Sequence, residues 1–188
     1  MSSPNAPSRL FRTLPIVTAD EMRGLGRRLA SVLRPGDLVI LSGPLGAGKT
    51  TLTQGIAEGL GVRGPITSPT FVIARVHPSL RGAEGLGTRR PSLVHADAYR
   101  LGSVLELDDL DLDADLATSV TVVEWGEGLA EGLSQDRLEI RIIPDVAGRH
   151  GDAADGDGAD APRTVNVSGV GSRWQDIQLP HAGDEDRL

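Results

Sequence analysis

The chain has 188 residues and a formal net charge of −7, and 39% of its residues are hydrophobic. The excess of acidic residues argues against a protein that holds a long nucleic acid by itself, because such binding needs a basic face. The sequence contains no cysteine, which excludes disulfides and thiolate metal sites and favours a cytoplasmic location. No stretch approaches the ~20 apolar residues that a membrane span needs, so we expect no membrane association.

The length of the chain predicts one domain, which we place at residues 9–179. We expect a flexible leader at 1–8 and a flexible tail at 180–188. Two polar or glycine-rich stretches, 78–91 and 145–162, are predicted to be flexible insertions because they contain too few apolar side chains to bury.

The first predicted elements are an edge strand and an amphipathic helix. Residues 9–17 suit an edge strand, where Pro15 is tolerated. Thr18 followed by Glu21 is a capping-box pattern, which predicts that a helix begins beside it. The tripeptide Arg-Pro-Gly at 34–36 is expected to end this helix.

The stretch 43–51 reads GPLGAGKTT, which is the pattern of a phosphate-binding loop. An apolar strand at 37–42 precedes it, and a helical pattern that ends at Gly61 follows it, as the motif requires. Lys49, the only lysine of the chain, is expected to contact phosphates, and Thr50 to reach Mg²⁺. The residues of this stretch predicted to bind nucleotide are Gly43, Leu45, Gly46, Ala47, Gly48, Lys49, Thr50 and Thr51.

The second half of the chain alternates apolar runs with polar stretches. Strands are predicted at 72–76, 92–97, 120–124, 137–143 and 163–170, short helices within the acidic stretch 101–116, and a terminal turn at 174–179. The last two strands are expected to form an antiparallel hairpin. We therefore predict an α/β fold, a P-loop NTPase-like three-layer sandwich with a mixed parallel and antiparallel central sheet.

Two predicted strands end in carboxylates, Asp97 and Glu124. The C-terminal ends of strands line the ligand crevice in open α/β sheets, so either side chain could hold Mg²⁺ directly or through water. Lys49, Asp97 and Glu124 are thus the predicted catalytic residues, with Thr50 and Glu124 at the metal. His95 has the same strand parity as Asp97, but could equally be a core histidine.

A loop rich in hydroxyl groups follows the predicted P-loop helix. Ser68 and Thr70 flank Pro69 there, and this segment could sense the γ-phosphate as a switch or be an ordinary capped turn. Trp125 directly follows Glu124 and could border the nucleotide or a partner protein.

Four segments in this order resemble the TsaE (YjeE) family: GPLGAGKTT at 43–51, SPTF at 68–71, HADAYRL at 95–101 and VEWGE at 123–127. The resemblance implies an ATPase that needs ATP and Mg²⁺, forms ADP, and is required for N6-threonylcarbamoyladenosine (t6A) modification of tRNA. It also implies a TsaB–TsaD complex as partner, with tRNA met only through that complex.

The same resemblance implies roles for individual residues. Glu124 corresponds to the metal carboxylate, Ser68 and Thr70 to the first switch, and Asp97 to an acidic residue of the second. The main alternative is a small-molecule P-loop kinase, which would need an acceptor site and an arginine-rich lid. A GTPase is disfavoured because its guanine-reading motif needs a second lysine, and a non-catalytic nucleotide-binding scaffold is a further alternative.

Overall fold

A seven-stranded sheet with two α-helices makes up the computed structural model, which describes residues 8–67, 74–80, 91–99, 117–145 and 162–179. The elements in chain order are β1 (Ser8–Ile16), α1 (Ala19–Ala30), β2 (Leu38–Ser42), α2 (Lys49–Leu60), β3 (Ala74–His77), β4 (Ser92–Asp97), β5 (Ser119–Glu124), β6 (Arg137–Pro144) and β7 (Arg163–Val170). Short 3₁₀ turns lie at Glu131–Leu133 and Ser172–Trp174. Among these residues no helix is long and apolar enough to cross a membrane.

The strand order is β1-β7-β6-β2-β5-β4-β3. β2 lies between β6 and β5 and is parallel to both, and β4 is parallel to β5. β3, β7 and β1 pair in antiparallel fashion with β4, β6 and β7. The predicted α/β fold with a mixed sheet is therefore confirmed, as are the edge position of β1 and the β6–β7 hairpin.

The capping box at the start of α1 is present as predicted. The Thr18 hydroxyl accepts from the Glu21 N–H at 3.1 Å, and the Glu21 carboxylate accepts from the Thr18 N–H at 3.2 Å. Such a cap contributes about 1 kcal/mol to the free energy of unfolding. The helix ends at Ala30, a few residues before the predicted stop at 34–36.

Both helices pack on one face of the sheet, and glycines bring them together. A Cβ on Gly26 would lie 2.5 Å from the Leu52 carbonyl oxygen, and a Cβ on Gly55 would overlap the main chain of Arg23. The opposite face buries a smaller cluster under the segment that follows β5. Buried residues on both faces of β2 make it the central strand of the core, so the loop after β2 begins from a rigid base.

Two predicted flexible segments have ordered ends. The Pro78 carbonyl accepts a hydrogen bond from the Arg63 N–H, and the Leu80 N–H donates one to the Gly61 carbonyl. The start of the 78–91 stretch is thus held against the loop after α2. The Asp145 N–H bonds to the Pro162 carbonyl across the hairpin at 2.9 Å. The predicted helices at 101–116 lie outside the described residues, as does most of both stretches.

Candidate active site

The loop between β2 and α2 has the left-handed backbone that glycine permits. Gly43, Gly46 and Gly48 have φ values of +143°, +74° and +106°, a region that other residues rarely adopt. The helix α2 begins at Lys49, immediately after Gly48. The first N–H groups of a helix lack intrahelical partners and carry its positive dipole end, so this loop offers an anion several donors at once.

Lys49 is the first residue of α2 and is 5% exposed. Its ammonium donates to the carbonyl oxygens of Gly43 at 2.8 Å and Pro44 at 2.9 Å, and lies 3.6 Å from the centroid of the Trp125 ring. Burial lowers the pKa of Lys49 below its ordinary value, and the negative charges of Glu124 and Asp97 oppose that shift. The ammonium is thus held by weak, neutral partners that a phosphate oxygen can replace.

Glu124 ends β5 and is 2% exposed. Its Oε2 accepts a hydrogen bond from the Thr50 hydroxyl at 2.9 Å, and its Oε1 lies 2.8 Å from His95 Nε2. The Thr53 hydroxyl is a longer neighbour of Oε1, at 3.4 Å. His95 and Glu124 therefore meet as a buried hydrogen-bonded pair.

Thr50 and Glu124 offer a hydroxyl and a carboxylate oxygen, which are ligand types that Mg²⁺ takes in proteins. Adjacent ligands of an octahedral Mg²⁺, each about 2.0–2.1 Å from the ion, lie about 2.9 Å from one another. The Thr50 hydroxyl and Glu124 Oε2 are 2.9 Å apart because the hydroxyl donates a hydrogen bond to the carboxylate, so the two oxygens are already adjacent. Mg²⁺ usually keeps several waters and takes few protein ligands, so one hydroxyl and one carboxylate suffice as the protein's share.

Asp97 lies beside this pair. It ends β4, where the sheet register pairs it with Glu124, and it is 6% exposed. Its Oδ1 accepts from the Tyr99 N–H at 2.9 Å, which fixes the carboxylate at the strand end. Asp97 and Glu124 thus form one carboxylate edge next to the loop, as the sequence predicted.

These groups line one cavity of about 380 Å³. Its walls are formed by Leu45, Gly46, Gly48, Lys49, Thr50, Thr51, Asp97, Tyr99, Glu124 and Trp125. Tyr99 and Leu45 are 64% and 87% exposed at its rim, and the Tyr99 and Trp125 rings are 4.9 Å apart. Trp125 has a φ of +60°, the only positive value for a non-glycine residue in the described part of the chain.

The structure brings most of the predicted site residues together. Gly43 and Ala47 belong to the same loop without lining this cavity, since Gly43 faces a neighbouring one and Ala47 is 3% exposed. Ser68 and Thr70 lie outside the described residues. Their predicted contact with the nucleotide therefore stays a prediction.

Three contacts of the site were missed or left open by sequence reasoning. Thr53 was missed, although it lies three positions after Thr50 and so shares its helix face. His95 was left between two interpretations, and its bond to Glu124 places it at the site. Arg163 donates to the Ala47 carbonyl from 116 positions away, and no local pattern marks such a contact.

Comparison with known families agrees with the motifs. The model of the family described as "Threonylcarbamoyl adenosine biosynthesis protein TsaE" matches residues 16–150. This chain belongs to the TsaE family. The matched range spans α1, the phosphate-binding loop and both strand-end carboxylates, so TsaE membership rests on the part of the chain that builds the cavity. The resemblance inferred from four short segments is confirmed.

Individual TsaE relatives cover much of the chain. A Streptomyces coelicolor protein named tRNA threonylcarbamoyladenosine biosynthesis protein TsaE is 62% identical over 154 residues, or 81% of this chain and 93% of that protein. A Mycobacterium tuberculosis protein of the same name is 54% identical over 136 residues, or 69% and 76% of the two chains. The crystal structure of Bacillus subtilis YdiB matches with a TM-score of 0.60 and 29% identity over 92% of each chain.

Proposed function

We propose that this protein is a Mg²⁺-dependent ATPase that acts in t6A biosynthesis and supports turnover of a TsaB–TsaD complex. Membership of the TsaE family supports the role in t6A biosynthesis. The observation that carries the ATPase part is the contact of the Thr50 hydroxyl with the Glu124 carboxylate, beside a lysine that directly follows a glycine-rich loop.

Phosphate binding is the proposed task of the loop and of Lys49. The N–H groups at the start of α2 would bind the β-phosphate, and the Lys49 ammonium would exchange the Gly43 and Pro44 carbonyls for β- and γ-phosphate oxygens. A charged acceptor makes a stronger hydrogen bond than a carbonyl. The exchange is therefore favourable and moves the positive charge onto the group that reacts.

Thr50 and Glu124 would hold Mg²⁺, which supplies positive charge to the phosphate oxygens during transfer. The chain's part is to fix this ligand pair before ATP arrives. His95 occupies Oε1 of Glu124, which leaves Oε2 directed at Thr50. A carboxylate held at both oxygens loses little further freedom when it binds a metal.

Asp97 would orient the attacking water. Its carboxylate lies in the cavity wall beside Glu124 and can accept a hydrogen bond from that water. The water oxygen forms the new bond to the γ-phosphorus while the bond to the β–γ bridging oxygen breaks, which yields ADP and inorganic phosphate. Positioning of this kind, with charge stabilisation, accounts for most catalysis in such sites.

The partner is proposed to complete a weak site. Leu45 and Tyr99 form an exposed, largely apolar rim beside the phosphate site, so a protein seated there would exclude water from the reaction. The net charge of −7 supports indirect contact with tRNA, through the complex rather than through this chain. A role in tRNA modification would place the protein in the cytoplasm.

The test is ATP turnover by the full chain, alone and with purified TsaB and TsaD, over a Mg²⁺ titration. We expect slow hydrolysis alone, faster hydrolysis in the complex, and none with EDTA. Rapid phosphate transfer to a small metabolite without those partners would support the kinase alternative and refute this proposal.

Lys49→Ala provides the matching variant. Loss of a hydrogen bond from a charged donor costs about 1.5–3 kcal/mol, so ATP affinity should fall roughly 10- to 100-fold. Arg75→Ala, which removes an exposed cation from edge strand β3, should leave affinity unchanged. An unchanged affinity in Lys49→Ala, measured by calorimetry on folded protein, would contradict the phosphate-binding role.

A further inference from the structure

A buried arginine supports the phosphate-binding loop from the far end of the chain. Arg163 is the first residue of β7 and is 6% exposed. Its Nη1 donates to the Ala47 carbonyl oxygen at 3.0 Å. Strand β7 pairs with β6 and β1, and both of these strands are distant in sequence from the loop. The contact therefore depends on the pairing of β7 with β6 and of β6 with β2.

The Ala47 carbonyl shares a peptide unit with the Gly48 N–H. In a planar trans peptide these two groups point in opposite directions. Arg163 holds the carbonyl on the side of the protein core, so the Gly48 N–H is turned to the opposite side. Gly48 lines the cavity next to Lys49 and Thr50, where the phosphates are proposed to bind.

The loop needs such a restraint because glycine gives its backbone freedom. Gly46 and Gly48 have positive φ values, and glycine adopts either sign of φ with little cost. Rotation of the Ala47–Gly48 peptide would turn a carbonyl oxygen toward an anion and remove a donor. A guanidinium on the carbonyl opposes this rotation with a charge-assisted hydrogen bond.

The Arg163 guanidinium also occupies the space that a side chain at position 48 would need. A Cβ at position 48 would lie 2.9 Å from Arg163 Nη1 and 3.4 Å from Met22 Cε. The glycine thus allows the guanidinium to reach the underside of the loop. Both the left-handed backbone and the neighbouring arginine require the absence of a side chain at this position.

We propose that Arg163 is a positioning residue that orients the Ala47–Gly48 peptide so that the Gly48 N–H faces the nucleotide phosphates. The inference rests on the proposed nucleotide-binding function. It adds a residue outside the loop, from the last strand, to the machinery that binds the anion. Arg163 acts through the backbone and is not assigned a contact with the nucleotide.

The test uses ADP as the probe and compares Arg163→Met with Arg163→Lys and Arg173→Met. The control Arg173 is also a largely buried arginine that donates to a backbone carbonyl, that of Val32 at 2.8 Å; it pairs in addition with Asp37, just before β2 and at the end of that strand away from the loop. Calorimetry gives the ADP affinity. The backbone ¹H–¹⁵N signal of Gly48 reports whether its N–H meets a phosphate.

We expect Arg163→Met to weaken ADP binding at least about tenfold, the size of a lost charge-assisted hydrogen bond. The downfield shift of the Gly48 N–H on ADP binding should shrink with it. Arg173→Met should lose stability but keep both the affinity and the Gly48 shift. Arg163→Lys keeps the charge but not the planar fork, so it should give an intermediate affinity.

Wild-type affinity and an unchanged Gly48 shift in folded Arg163→Met would overturn the inference, and so would equal losses in Arg163→Met and Arg173→Met. If Arg163→Met does not fold, Arg163→Gln decides, since its amide is shorter and uncharged, and wild-type affinity and shift there would also overturn the inference. Absence of ADP binding by the wild-type chain would instead refute the proposed function on which it rests.

Discussion

Replacement of Glu124 by glutamine should stop ATP hydrolysis while leaving the fold intact. Glutamine keeps the shape of the side chain and one carbonyl oxygen but removes the negative charge. Glu124 ends β5 with one oxygen on Thr50 and the other near His95. The amide can still meet both neighbours, since the hydroxyl and the imidazole can each accept a hydrogen bond. The substitution therefore tests the negative charge of Glu124 separately from its shape and its hydrogen bonds.

The expected loss of folding stability in Glu124→Gln is small beside the expected loss of hydrolysis rate. Hydrogen bonds to a charged group contribute about 1.5–3 kcal/mol and neutral ones about 0.5–1.5 kcal/mol, so weakening two costs about 2 kcal/mol. Removal of a buried charge offsets part of this cost because its desolvation is no longer needed. A domain stable by about 5–15 kcal/mol stays folded after such a loss. Removal of one group that stabilises charge in the transition state lowers the rate by a factor of about 10²–10³.

The assay is ATP turnover in the complex with TsaB and TsaD, with thermal unfolding measured on the same preparation. We expect a rate at least about 100-fold lower in Glu124→Gln and a melting temperature within several degrees of wild type. Glu139→Gln is the matched control, because Glu139 lies on β6 and pairs with Arg137. A wild-type rate with unchanged Mg²⁺ dependence in folded Glu124→Gln would refute the assignment of this carboxylate to the metal.

Two further predictions concern stability. Gly55→Ala should destabilise the protein by about 2 kcal/mol or more in denaturant unfolding, because the new Cβ would overlap the main chain of Arg23. Gly132→Ala, where a Cβ meets nothing within 4 Å, should change stability by about 0.5 kcal/mol at most, and equal effects would contradict the close helix crossing. Burial lowers the pKa of His77 below 6.5, so the unfolded chain binds more protons there and stability should fall as pH drops below 6.5. His77→Asn should lose less stability over that pH interval, and identical pH profiles would contradict this reasoning.

The sequence by itself determined the features that depend on neighbours within about one helical turn or one short motif. The capping box of Thr18 and Glu21 and the glycine-rich loop before Lys49 are of this kind, because the groups that interact are only a few residues apart. Strand-end carboxylates could be proposed because parallel strands present their C-terminal ends at one edge. The β-sheet register agrees with that proposal by pairing Asp97 with Glu124.

Only the tertiary structure decided which distant groups meet. Thr50 and Glu124 are 74 positions apart, and they touch because β5 lies next to β2 in the strand order. Arg163 reaches Ala47 across 116 positions because β7 returns along β6 to the base of the loop. Side-chain parity left His95 undecided, and its bond to Glu124 depends on the adjacent pairing of β4 and β5. Local sequence patterns do not predict such strand pairings, because the pairings are set by the packing of the whole sheet.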